Sequence, residues 1–172
     1  MTQTQAQPIV HKNYLQATIP TTTYLRLFIQ HVENLEPGEP LSVGRPSFVA
    51  MQLNMLLTRP SVFRALADRS DIQIPSDYTD CMPFVVLEWM MQQKCIFICN
   101  RSVVAFNDVV RQFFYENLLQ RTRAKENQGR EKRMVIADYL SEMGIHEDIL
   151  SFDTAKKALF RLETAKRLVK KK

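Results

Sequence analysis

Asn100-Arg101-Ser102-Val103-Val104-Ala105-Phe106-Asn107-Asp108-Val109-Val110-Arg111-Gln112-Phe113-Phe114-Tyr115-Glu116-Asn117-Leu118-Leu119-Gln120-Arg121 is the stretch that decides the fold class. Val103, Phe106, Val110, Phe113, Phe114 and Leu118 recur at steps of three and four, so they share one buried side of a helix from about Val103 to Arg121. Asn100 or Ser102 supplies its N-cap, because a short polar side chain there can accept from a free backbone N–H. A helix this long needs apolar partners, and the flanking sequence offers them.

Upstream, Tyr24, Leu25, Phe28 and Ile29 make one stripe and predict a helix over 22–33, with Pro20 and Thr21 to Thr23 as start signals. Glu36-Pro37-Gly38-Glu39-Pro40 is a loop by composition. Arg45-Pro46-Ser47 and Arg59-Pro60-Ser61 repeat a tripeptide, and each opens a helix, over 47–57 and 60–68, since proline suits a first turn. Ser70 to Pro83 reads as a loop. Residues 84–93 pull both ways: Phe84-Val85-Val86-Leu87 favours a strand and Glu88-Trp89-Met90-Met91-Gln92-Gln93 a helix. The helix is taken, with a hairpin to 95–99 as the alternative. Short strands are expected at 8–19, 40–43, 71–75 and 95–99. The fold class is therefore mainly α, or α+β with a minor sheet.

Downstream the chain changes character. Residues 1–120 hold 9 Lys/Arg and 10 Asp/Glu, whereas 121–172 hold 14 and 8, so the net charge of +5 resides in the last third. The predicted organisation is a disordered tail at 1–7, a mostly helical body at 8–121, a charged linker at 122–130 and a basic helical module at 131–172. In that module Ile136, Tyr139, Leu140 and Met143 form a stripe, Gly144 stands where a left-handed residue is wanted, and Ile145 can pack back. His146 to Leu150 make about one turn, and Ser151 or Asp153 caps a final helix to Val169. The plan is tri-helical or helix-turn-helix-like.

Stepping that last helix at 100° per residue gathers Ala155, Ala158, Leu159, Leu162, Ala165 and Val169 on one arc. The opposite arc holds Lys157, Phe160, Arg161, Thr164, Arg167 and Lys171, with Lys156 on its edge. Lys and Arg there neutralise phosphates, Arg and Thr can reach base edges, and Phe160 is the wrong residue for a merely solvated face. It suits a thymine methyl or a base ring. These seven residues form the candidate nucleic-acid surface, and DNA is the expected partner. The opposing view is a solvated basic tail on a structural or interaction component, such as a virion protein, with a protein partner or a second copy bound instead.

Ile136-x-x-Tyr139-Leu140-x-x-x-Gly144-Ile145-x-x-Asp148-x-Leu150-Ser151-x-Asp153-Thr154-x-Lys156-Lys157-Ala158-x-x-Arg161 resembles the C-terminal signature of small uncharacterised basic proteins of Bacteroidetes phages and mobile elements. The likeness covers about 40 residues, mainly 131–168, with Ala105-Phe106-Asn107 and the helix after it sharing it upstream. It implies a phage or mobile-element setting, where DNA-binding accessory proteins are common, and it implies no catalytic residue.

Catalytic motifs are missing from the sequence. Four glycines form no phosphate loop, and no Gly-x-Ser-x-Gly or His-Glu-x-x-His occurs. Asp77, Asp80 and Glu88 fit no nuclease spacing. His146-Glu147-Asp148 cannot converge on one ion, because adjacent helical side chains diverge. Three cysteines, at 81, 95 and 99, give odd disulfide arithmetic and suit a reducing compartment, where 95 and 99 read as small apolar residues. Trp89 reads as core. A non-enzyme without cofactor or metal is expected. The polar N-terminus is no signal peptide and no apolar run spans a bilayer, so a cytoplasmic location without membrane contact is expected, with virion association as the alternative.

Overall fold

The computed structural model describes residues 14–57, 72–88, 90, 98–126 and 128–169, without the side chains of Arg167 and Val169. The chain is mainly α with a small sheet. In order the elements are β1 (Tyr14–Thr21), α1 (Thr23–Glu33), β2 (Leu41–Ser42), α2 (Phe48–Leu56), β3 (Asp80–Leu87), α3 (Asn100–Glu126), α4 (Lys132–Glu142) and α5 (Phe152–Val169). The expected helix at 60–68, Trp89, Cys95 and the first part of the 95–99 strand lie outside the described residues.

β3 is the middle strand: β1 pairs with it antiparallel, Tyr14 opposite Leu87 and Thr21 opposite Asp80, and β2 pairs parallel at Leu41–Phe84 and Ser42–Val85. This corrects the helix expected from residue 84. Met82, Phe84 and Val86 are buried in alternation, the period of a strand with one covered face. Proline is usually excluded from a middle strand because it cannot donate to the ladder. Pro83 is accommodated because its nitrogen faces the side of β2, as does the Val85 carbonyl that accepts from the Val43 N–H, and β2 is already spent at Phe84. Residues 72–75 are irregular, as are 98–99, so the predicted strand over 71–75 does not form there.

Several helix ends follow the sequence chemistry, but the start of α3 does not. That helix begins at Asn100, three residues before the expected Val103. Asn100 and Ser102 therefore lie inside it and do not cap it, and the Val103 N–H donates to the Cys99 carbonyl. Ser47 Oγ accepts from Ala50 N–H at 3.2 Å and starts α2. α4 closes on Gly144 at φ 67°, with Gly144 N–H donating to Ser141 and Ile145 N–H to Leu140, the paired bonds that satisfy its last carbonyls. Residues 147–149 form a hydrogen-bonded turn, not a helix, so the module is two helices joined by a turn. Ser151 Oγ then accepts from Thr154 N–H and caps α5, leaving Asp153 in the first turn, where the helix dipole favours a carboxylate.

α3 lies at the centre of the packing. It contacts α1, α2, β1, α4 and α5, and it runs five residues past the predicted Arg121 end. Residues 122–126, expected as linker, are its last turn, and Thr122 is buried with its hydroxyl on the Leu118 carbonyl. Ile136, Tyr139, Leu140, Leu150, Ala155 and Leu159 belong to the same apolar core as Phe28, Phe84 and Phe106. The basic module is fastened to the body by that shared core.

One polar knot ties α3 to the sheet. Asn107, fully buried, donates to the carbonyls of Pro20 and Val103 at 2.9 Å each and accepts from Thr21 Oγ1 at 2.5 Å. The Pro20 carbonyl is on the open edge of β1, so nothing in the sheet would satisfy it. Asn107→Ala is expected to strand two of these groups, at about 1–3 kcal/mol each, and urea denaturation measures the loss. Asn107→Asp should be no better, because a carboxylate cannot donate to either carbonyl.

Candidate nucleic-acid interface

α5 presents the face that stepping the sequence predicts. Ala155 and Leu159 are buried, Ala158 and Leu162 half-buried, and Lys156, Lys157, Phe160, Arg161 and Thr164 are exposed. The apolar arc stops short, however: Ala165 is exposed and so is Leu168. The side chain of Arg167, and Lys171 entirely, lie outside the described residues. Thr164 differs from expectation in one respect. Its hydroxyl donates to the Phe160 carbonyl at 2.9 Å, so only its lone pairs remain for a ligand.

What the sequence did not reveal is the second wall. The first turns of α4 lie beside α5, and between them is a groove of about 650 Å³. Ile136 and Phe152 form its apolar base, Lys132 and Arg133 rise from α4, and Lys156, Lys157, Phe160 and Arg161 line it from α5, with Asp153 the single carboxylate. The Arg133 guanidinium sits over the Phe152 ring, 5.7 Å from its centre. Bringing Lys132 and Arg133 to Phe160 requires two helices to pack, and no local pattern carries that information.

The cations differ in availability. Lys132 Nζ is held by Glu163 at 2.7 Å, Arg121 by Glu142 at 2.5 Å, Arg130 by Asp138 at 3.1 Å and Lys166 by Glu116 at 3.2 Å. Among the described residues, Arg133, Lys156, Lys157 and Arg161 form no ion pair with a carboxylate. The groove thus gathers four cations without carboxylate partners, while three of the six cations of the 121–133 segment, Arg121, Arg130 and Lys132, are paired.

On the far side of α5 a second cleft, about 550 Å³, shares Lys157 and Arg161 with the groove and adds Tyr24, Arg111, Tyr115 and one carboxylate, Asp77. Arg111 Nε donates to Tyr24 Oη at 3.2 Å across 87 residues of sequence. Burial, chiefly, pushes the Tyr115 phenol up to about 12, so it stays a neutral donor at any ordinary pH. Lys157 and Arg161 therefore stand on a ridge between two hollows.

Cys99 is buried and Cys81 is exposed. Among the described residues no group of three or more His, Cys, Asp or Glu is arranged to hold a metal ion, and no helix is long and apolar enough to cross a membrane. Comparison with known proteins finds no matching family model, no similar curated protein and no similar solved structure.

Proposed function

We propose that this chain is a non-enzymatic DNA-binding accessory or regulatory protein, of a phage or mobile element as the resemblance implies, which meets duplex DNA with the cationic face of α5. The observation that carries this reading is the set of four cations without carboxylate partners, Arg133, Lys156, Lys157 and Arg161, gathered on one groove. Side chains that serve stability tend to be paired, as Lys132 and Lys166 are. Unpaired cations held together repel one another and await a polyanion, whose counterions they release.

Titration of a short duplex against salt tests it. With four phosphate contacts the affinity should fall roughly 100-fold between 50 and 200 mM salt. No binding at about 50 mM salt rejects the reading. A second reading, a structural or interaction component, draws on a different surface: Met51 and Met55 of α2 are exposed beside Phe48. Methionine-rich apolar surface suits a protein partner.

A further inference from the structure

We infer that the groove between α4 and α5 receives an unpaired nucleobase, so that the preferred ligand of this surface is single-stranded DNA. This rests on the DNA-binding reading and moves its preferred ligand from duplex to single strand. A helix that reads duplex DNA enters the major groove as a convex ridge and needs no hollow at its side. Here the hollow is about 650 Å³, within the range of small-ligand pockets, and its base is apolar.

The side chains have the alternation that a splayed strand requires. Phe152, Lys156 and Phe160 follow one another at i, i+4 and i+8 on one side of α5, placing two phenyl groups about 12 Å apart along the axis with an ammonium between them. Stacked nucleotides of one strand in a duplex advance only about 3.4 Å each, so bases meeting both rings would not be stacked neighbours. Phe160 is 67% exposed. A phenyl ring left that open beside cations has a face to offer, and every base has a π-face to place on it. Phe152 is half-buried with the Arg133 guanidinium over its ring, so at that end a base would meet the planar guanidinium backed by the ring. Lys157 and Arg161, on the ridge, are positioned to follow the phosphates from this groove toward the second cleft. Asp153 is the one group in the groove that opposes a phosphate, which favours the base, not the backbone, at that end.

The test measures fluorescence anisotropy of labelled oligothymidine and of a mixed-sequence duplex of equal length at about 50 mM salt, with the full chain and with Phe160→Ala. Phe160 is exposed, so its removal leaves the fold intact, which circular dichroism checks. Oligothymidine is expected to bind more tightly than duplex. Phe160→Ala should weaken it by about 5- to 150-fold, the range for one lost stacked base, and weaken duplex binding by a smaller factor. If duplex binds as well as oligothymidine and Phe160→Ala alters neither, or both equally, the base site is overturned and the DNA-binding reading stands. If neither nucleic acid binds, both fail. Polyglutamate serves as competitor: equal competition per charge would mark an acidic protein segment as the occupant and overturn the base site.

Discussion

Phe114→Ala is expected to lower the unfolding free energy by about 3–5 kcal/mol, the largest single effect in the body. Phe114 is fully buried on α3, with the rings of Tyr24, Phe28, Tyr115 and Tyr139 between 5.0 and 5.6 Å from its own. These come from α1, α3 and α4, so the side chain joins the body to the basic module. Their mutual angles, from 52° to 84°, are edge-on or tilted, the arrangement that aromatic quadrupoles prefer. Tyr139 Oη also donates to the Phe114 carbonyl at 3.4 Å. Removing the ring leaves a cavity that four rigid neighbours cannot close, which is why the upper part of the range applies. Urea denaturation followed by circular dichroism should show one transition, shifted as a whole. A second transition that keeps its midpoint would mean that residues 131–169 unfold apart from the body, and that the shared core is weaker than its geometry indicates. Since small domains hold only about 5–15 kcal/mol, such a loss is a large share of the whole.

The helical part of this fold was legible because its signals are local. The stripe on α3, the Ser47 cap and the Gly144 closure each lie within a few residues of what they determine. The sheet was legible only in part. The strands expected at 8–19 and 40–43 overlap β1 and contain β2, but β3 was not read as a strand, and the pairing of a two-residue β2 with it is a non-local event. The misreading at 84 has a definite cause: Pro83 interrupts the alternation that begins at Asp80, and the helical pattern of Glu88 to Gln93 is then extended back over the strand signal of Phe84 to Leu87. Only the shortness of β2 makes proline tolerable there. Likewise Asn107 gives no hint in sequence that it holds Thr21 and Pro20, and Arg111 none that it reaches Tyr24.

The candidate site divides in the same way. The exposed face of α5 follows from helical geometry, and Lys156, Lys157, Phe160 and Arg161 lie where 100° steps place them. The opposite wall does not follow. Lys132 and Arg133 fall in the first turn of the module expected from 131, and only the packing of α4 on α5 turns them toward Phe160. Charge counting also overstates the linker, because it cannot distinguish a cation held by a neighbouring carboxylate, as Arg130 is, from one without a partner, as Arg161 is.

The triple variant Lys156→Ala, Lys157→Ala, Arg161→Ala exploits that distinction. All three side chains are exposed and alanine is the best helix former, so stability should change by no more than about 0.5 kcal/mol per site. Each lost phosphate contact removes about 0.9 from the slope of log K against log salt on duplex DNA. The triple variant should therefore flatten the slope by about 2.7, and for single strands by about 2.1, at about 0.7 per contact. Lys132→Ala is the informative control: its ammonium already belongs to Glu163, so the slope should hardly move, while stability falls by about 0–1 kcal/mol. The two variants separate charge that is present from charge that is available. If the triple variant keeps the parental slope, α5 is not the contacting element. If Lys132→Ala flattens the slope as much as a residue of the triple set, Glu163 releases its partner to the polyanion, and the groove carries five working cations instead of four.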